Sequence, residues 1–411
     1  MTSNVLIIGA VWPESNSSAA GQNMAALIRH FIANDYTVHF ATAAAESEHA
    51  DHIESEHYTT HSITLNDSQF DVLAGQINPA IVVFDRFMTE EQFSSRVRQQ
   101  CPDALLILNT EDLHSLRYAR HEAVKQGKPA SQACLNNTFS QREIAAILRC
   151  DLSLVISQPE WKLLTEFYQV PAKQLVISPL QQTLDATPSA SADFATRSHF
   201  ISIGNFRHAP NWDAVLQLKQ LWPAIKSAVP EAQLHIYGAY PPKKATQLHN
   251  PKSGFLVKGW VDDVNRVMAS ARVCLAPLRF GAGIKGKLLT AILHATPSVT
   301  TAIGAEGIAA HQDWPGAVCD DTSSIVEQAV SLYTNPQRWQ QASDRAEPVL
   351  TQFKRLQTDA VKALFDTISH VRQDLPGFRR SLFLQSLLWH HSLRASQFMS
   401  QWIEAKNAHK Q

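Results

Sequence analysis

Short runs rich in β-branched residues alternate with longer helical patterns down this chain, and the series runs twice. The first series places strands at residues 5–8, 37–41, 81–85, 104–108, 152–157 and 174–178. The second places them at 200–203, 233–237, 254–258, 273–276, 298–301 and 317–319, with helices at 211–228, 264–269, 285–294 and 323–333 between them. Such alternation is the signature of βαβ units and parallel sheets. After the first strand, Met24, Leu27, Ile28, Phe31 and Ile32 are spaced for one buried helical face. Between about 180 and 198 the text turns to Pro, Ser, Ala, Thr and Asp with no apolar period, which reads as a linker. The expected organisation is α/β: a first domain over 1–185, a second over 198–345 and a helical C-terminal segment over 346–411.

Composition narrows the function classes. Lys plus Arg total 36 against 37 Asp plus Glu, so the net charge of −1 argues against a binder of nucleic acid driven by overall charge. No apolar run reaches the ~18 residues of a spanning helix. The N-terminus has no basic residue before Arg29, so its apolar start reads as a first strand and not as a secretory signal. Five cysteines (Cys101, Cys134, Cys150, Cys274, Cys319) are scattered and never spaced C-x-x-C. That pattern argues against disulfides or thiolate zinc and for a reducing cytoplasm.

Two doubly wound halves invite a dinucleotide, yet the first strand is followed by Gly9-Ala10-Val11-Trp12-Pro13 and the next glycine is Gly21. Neither a G-x-G-x-x-G turn nor P-loop spacing is present, which argues against a nicotinamide or flavin enzyme and against nucleotide hydrolysis. Glycines cluster instead in the second half, in Pro277-Leu278-Arg279-Phe280-Gly281-Ala282-Gly283-Ile284-Lys285-Gly286-Lys287. This run follows a strand and opens a helix, where bare backbone and free N–H groups favour an anion. Lys285 in the first turn opposes the helix dipole unless an anion sits there. A mobile turn with solvated lysines is the alternative reading of the same text.

The surrounding text adds Ile203-Gly204-Asn205-Phe206-Arg207-His208-Ala209-Pro210-Asn211, His235-Ile236-Tyr237-Gly238, Gly259-Trp260-Val261-Asp262-Asp263 and Thr300-Thr301-Ala302-Ile303-Gly304-Ala305-Glu306-Gly307. In this order the set resembles the donor-binding half of a GT-B glycosyltransferase, close to glycosyltransferase family 4 and its group 1 relatives. The resemblance is strong over 200–308 and covers 5–178 only by general layout. It implies two Rossmann-like domains facing a central cleft, a nucleotide-sugar as co-substrate with no cofactor, retention of configuration and no bound metal. The absence of an Asp-x-Asp triplet agrees with the last point.

Carried onto this sequence, the resemblance places Gly204 and Asn205 at the diphosphate, with Arg207 and Lys285 as its cations. Gly281, Gly283 and Ile284 fall where the family's loop meets sugar and phosphate, and Trp260 and Val261 line the nucleobase. A departing nucleoside diphosphate needs amides and cations for its developing charge. Family members usually carry two glutamates eight positions apart here, and the matching positions are Ala282 and Thr290. Glu306 is a nearby substitute or a helix-start carboxylate, and Arg207 also reads as a solvated loop residue.

In the first half, Asn109-Thr110-Glu111-Asp112-Leu113-His114-Ser115-Leu116-Arg117 follows an apolar strand. Asp112 reads as an N-cap, with His114, Arg117 and His121 on one helical face. Many GT-B enzymes place a His-Asp pair at this strand end, so Glu111, Asp112 and His114, together with Lys285, are the catalytic candidates. Asp85, Arg86, Arg117 and, in the Ser-rich loop 12–22, Ser18 are the acceptor-side candidates. His49, His52, His57 and His61 look like metal ligands but lie in polar text with no helical or strand frame, and read as a solvated loop.

From Pro376 on, Arg379, Arg380, Arg394, Lys406 and Lys410 against Glu404 leave a tail of net +4. Helical spacing of its apolar residues suggests an amphipathic helix over 382–403 that packs on its own protein or a partner, or lies on the inner face of a membrane. The helical text at 359–372 fits a helix returning to the first domain. The expected function is glycosyl transfer from a nucleotide-sugar, with lipid-linked sugar, polysaccharide, small molecule, protein and RNA all open as acceptors. The alternatives are a nucleotide-sugar 2-epimerase and a non-catalytic module binding a glycan or partner.

Overall fold

A computed structural model describes residues 3–15, 18–46, 51, 53–182, 184 and 193–408, with the backbone alone at 392–397 and 407–408. The chain forms two compact units. Unit 1 comprises Met1–Ser115, Asn136–Gln181 and Gln357–Gln411, and unit 2 comprises Leu116–Leu135 and Gln182–Leu356. Residues 116–135 thus group with the second unit although they follow a strand of the first.

Unit 1 is built on strands β1 (Ser3–Gly9), β2 (Tyr36–Thr42), β3 (Tyr58–Ser62), β4 (Ile81–Asp85), β5 (Leu105–Asn109), β6 (Leu152–Val155) and β7 (Leu175–Ile177). They pair in parallel in the order β3-β2-β1-β4-β5-β6-β7. Val5, Ile7, Val38, Phe40, Ile81, Val83, Leu105 and Ile107 pack with Met24, Leu27, Ile28 and Phe31 of helix Ala19–Ala33. Leu364, Ile368 and Val371, late in helix Ala346–Gln373, join the same core. Burial on both faces explains why β1, β4 and β5 read as continuous apolar runs.

The strand β3 is absent from the sequence expectations and corrects the reading of the histidine-rich stretch. Its polar text, Tyr-Thr-Thr-His-Ser, lies at the sheet edge with no buried side chain. Pairing with β2 sets its frame, and His61 stacks on His39 with ring nitrogens 3.1 Å apart. Among the described residues no group of three His, Cys, Asp or Glu is placed to share a metal ion. His49, His52 and nearly all of 183–192 in the linker lie outside the described residues.

Unit 2 carries β8 (Ser198–Ile203), β9 (Leu234–Tyr237), β10 (Phe255–Gly259), β11 (Ala271–Ala276), β12 (Ser298–Thr300) and β13 (Gly316–Val318). These are also all parallel, in the order β10-β9-β8-β11-β12-β13. Phe200, Leu234, Ile236, Val273 and Leu275 meet Leu218, Trp222 and Ile225 of helix Ala209–Ala228 and Trp339 of helix Pro336–Asp344. The strand order reverses between β1 and β4 in one sheet and between β8 and β11 in the other. Ligands of open α/β sheets bind beyond the carboxyl ends of the strands at such a reversal.

Candidate functional site

In unit 2 the loop after β11 lies beside the β8/β11 reversal. Gly281 (φ +158°) and Gly283 (φ +65°) take backbone conformations that side chains resist, and they bend the chain into helix Gly286–Leu293. Lys285 is the N-cap residue of that helix and is buried; its Nζ donates to Gly283 O at 2.7 Å and lies 3.9 Å from Glu306 Oε2. Glu306 ends the short helix Ala302–Ala305, so its reading as a helix-start carboxylate is corrected. Arg120 clamps it through two hydrogen bonds, Nη1 to Oε2 at 2.7 Å and Nη2 to Oε1 at 2.8 Å, and also donates to Gly281 O at 2.8 Å. Hydrogen bonding and charge from Arg120, with Lys285 adding to them, outweigh burial and hold the Glu306 carboxyl below its ordinary range. The ionised trio is two cations on one anion, a net +1 beneath bare loop backbone.

Arg120 has no role in the sequence reading, because its partners lie far along the chain. Arg120→Ala should strip Glu306 of both short hydrogen bonds and cost about 2 kcal/mol of folding stability, read by urea denaturation. Adding Glu306→Gln should recover part of that loss, as expected for two members of one contact.

Lys287 is the second residue passed over. It is half-buried, its pKa lowered by desolvation to about 8, and its Nζ donates to Asn211 Oδ1 at 2.7 Å. The Asn211 side chain packs so closely on Gly204 that an added Cβ would sit 2.5 Å from it, and its Nδ2 donates to Asn205 O at 3.0 Å. Lys287 therefore anchors the turn at the end of β8.

Other expected donor-side residues have definite partners. Asn205 Oδ1 accepts from Arg207 N at 2.9 Å, and the exposed Arg207 guanidinium lies 3.6 Å over the Tyr240 ring. Trp260 is exposed after β10 and donates to Asp262 Oδ1 at 2.8 Å; Val261, beside it, is half-buried. Ala282 and Ile284 are buried in the loop. Thr290 donates to Gly286 O and accepts from Gln182 Nε2 at 2.8 Å, so its hydroxyl belongs to the helix and not to an open acceptor site. Arg117 meets His208 at 3.2 Å, and His121 stacks on Phe280 with ring centroids 4.3 Å apart.

In unit 1 the carboxyl ends of β4 and β5 bring Asp85 and Asn109 side by side in register. Glu111 follows at φ +61° and Arg86 at φ +70°. Left-handed backbone is costly for side chains of this size and gathers at functional sites. Glu111 is buried and accepts from Asn109 Nδ2 at 2.8 Å and Asn23 Nδ2 at 3.1 Å. Asn109 Nδ2 also lies 3.4 Å from Asp85 Oδ1, and Ala10 N donates to Asp85 Oδ2 at 3.2 Å. Arg86 Nε is buried without a hydrogen-bond partner, 3.9 Å from Asp85 Oδ2. Burial, then the Asp85 carboxylate, push the Glu111 carboxyl up to about 8 against the opposing pull of Arg86. Burial beside a second carboxyl thus favours the protonated form of Glu111, an arrangement suited to proton transfer.

The helix that follows, His114–Lys125, draws a carboxylate from another element to its start. Its first amides, from His114 and Ser115, donate to Glu143 at 3.0 and 2.9 Å. Asp112 Oδ1 faces His114 Nε2 at 3.3 Å. Ser18 caps helix Ala19–Ala33, accepting from Gly21 N at 3.0 Å. Asn23 and Asn109, which hold Glu111, carry no sequence signal of their own.

Residues 197–335 match the family described as Glycosyl transferases group 1. No curated protein matches the chain. Among solved structures, a sucrose-phosphate synthase from Thermosynechococcus elongatus is similar at 15% identity over 93% of this chain and 99% of its own, with a TM-score of 0.66. WaaG, a glycosyltransferase involved in lipopolysaccharide biosynthesis, follows at 13% identity over 84% and 95%, with a TM-score of 0.60. HepE from Anabaena, in complex with UDP, shows 12% identity over 87% and 100%, with a TM-score of 0.56. The fold is GT-B.

Proposed function

We propose that this chain is a glycosyltransferase that moves a sugar from a nucleoside-diphosphate sugar to an acceptor hydroxyl, with retention of configuration and without a metal, a reading supported by the family match and the fold. The observation that carries the proposal is Lys285, buried on a glycine-rich loop with Glu306 and Arg120 beside it. The net +1 of that trio and the loop backbone supply charge where a diphosphate leaves. UDP bound by the similar HepE supports a nucleotide on this fold, and the lack of an Asp-x-Asp triplet supports metal independence.

In the proposed step the bond from the anomeric carbon to the diphosphate oxygen breaks. The acceptor oxygen bonds to the same face, and its proton passes to the departing phosphate. Gly204, Asn205, Arg207, Trp260 and Val261 are assigned to the donor. Glu111, Asp112 and His114 are assigned to positioning the reacting groups, and Asp85, Arg86, Arg117 and Ser18 to the acceptor side. Ala282 and Thr290 offer no carboxylate, so ribose and sugar are held differently from the family pattern.

A melting-temperature panel of UDP, GDP and ADP and their sugars tests the proposal. One base should raise the transition by about 2–4 °C at saturation, as expected for ligand at ~100 Kd. A flat panel overturns nucleotide binding. Isomerised donor in the absence of acceptor would assign a 2-epimerase instead.

A further inference from the structure

Helix Phe383–Ala408 docks on unit 1 through its polar side. Gln385 Nε2 donates to Arg149 O at 3.1 Å and to Asp151 Oδ1 at 2.9 Å, and Trp389 Nε1 donates to Arg149 O at 2.9 Å. Further along, Arg96 donates to Ser400 Oγ at 3.1 Å and Glu404 Oε2 at 3.0 Å. The apolar residues are left outside: Phe383 is 74% exposed, Phe398 64%, Trp402 58% and Met399 57%, with Leu384 and Leu387 also open. Phe383, Leu384, Leu387, Phe398 and Trp402 recur at intervals that put them on one side of a helix. A helix that serves only its own domain buries its apolar face; this one is turned over.

Two exposed cations border that face. The helix's single acid, Glu404, is turned to Arg96, and burial is outweighed by that contact in holding its carboxyl below the ordinary range. Arg380 and Lys406 are exposed, and Lys406 Nζ lies 4.9 Å over the Trp402 ring. We propose that this face binds the surface of an anionic lipid bilayer. Aromatic rings suit the boundary between headgroups and acyl chains, and the cations suit anionic headgroups. A second copy fits less well, because two-fold pairing would set Arg380 and Lys406 against their like. No helix among the described residues is long and apolar enough to cross a membrane, so this one lies along the surface.

The test is flotation of the full chain with vesicles of phosphatidylcholine alone and of about three parts phosphatidylcholine to one of phosphatidylglycerol. Binding to the anionic vesicles should be about tenfold tighter or more, and should weaken as salt is raised. The double substitution Phe398→Glu/Trp402→Glu should reduce it about tenfold or more with no change in melting temperature, since both side chains are exposed. Arg380→Glu/Lys406→Glu should remove the preference for anionic lipid. Absence of flotation, or flotation unchanged by Phe398→Glu/Trp402→Glu, overturns the proposal. So does a dimer in sedimentation that the same double substitution dissolves while no lipid is bound. None of these readouts requires a sugar donor, so they stand apart from the assignment of glycosyl transfer.

Discussion

Lys285→Ala should lower kcat/KM for sugar transfer by about a hundred- to a thousandfold, the loss seen when one preorganised donor to a developing charge is removed. The effect follows from where the ammonium sits. It is buried at the start of helix Gly286–Leu293, 2.7 Å from Gly283 O and 3.9 Å from Glu306. Alanine takes one of the trio's two cations and leaves a net charge of zero beside the loop. Glu306 keeps both short hydrogen bonds from Arg120, so the carboxylate stays paired and the melting temperature should move by only about a degree or two. Steady-state kinetics with the donor found in the melting panel, beside a thermal scan, check both halves. Turnover close to wild type in a folded variant would sink the phosphate assignment.

Glu111→Gln should lower turnover by about a hundredfold, the cost of a small misplacement of reacting groups when a positioning residue changes. Its amide oxygen can accept the same hydrogen bonds from Asn23 and Asn109, so the fold should hold. Stability gives an independent readout. The Glu111 carboxyl is raised from 4.5 to about 8 by burial and then by Asp85. Between those values the folded chain binds a proton that the unfolded chain has lost, so stability falls as pH rises through that window. Glu143, raised to about 7 mainly by burial, adds to the same slope. Denaturant midpoints from about pH 5 to 8 should therefore fall in the wild type and fall less steeply in Glu111→Gln, with the Glu143 share remaining. Equal slopes in the two proteins would show that Glu111 is ionised in the folded state, contrary to its surroundings.

Local pattern made most of the fold readable. The central strands of the first sheet follow from apolar runs that are buried on two faces, and helix Gly286–Leu293 from the glycine-rich turn before it. The strand β3 escaped because none of Tyr58, Thr59, Thr60, His61 and Ser62 is fully buried; pairing with β2 makes this stretch a strand. The part Glu143 plays at the start of helix His114–Lys125 could not be read, because sequence shows only near neighbours and Glu143 reaches the helix from 28 and 29 residues away. The C-terminal helix was legible as amphipathic, and its direction was not.

The sequence by itself determined the parallel α/β architecture, the glycine-rich loop with its lysine, and the acidic strand end at Glu111. Each depends on side-chain period or on backbone preference within a few residues, which the chain carries locally. Tertiary structure alone decided which charges meet. Arg120 finds Glu306 across 186 positions, Asn23 finds Glu111 across 88, and Arg96 draws the acid of the final helix inward. Burial makes those pairings consequential, because a charge removed from water must be matched by a partner that only the folded chain can bring to it.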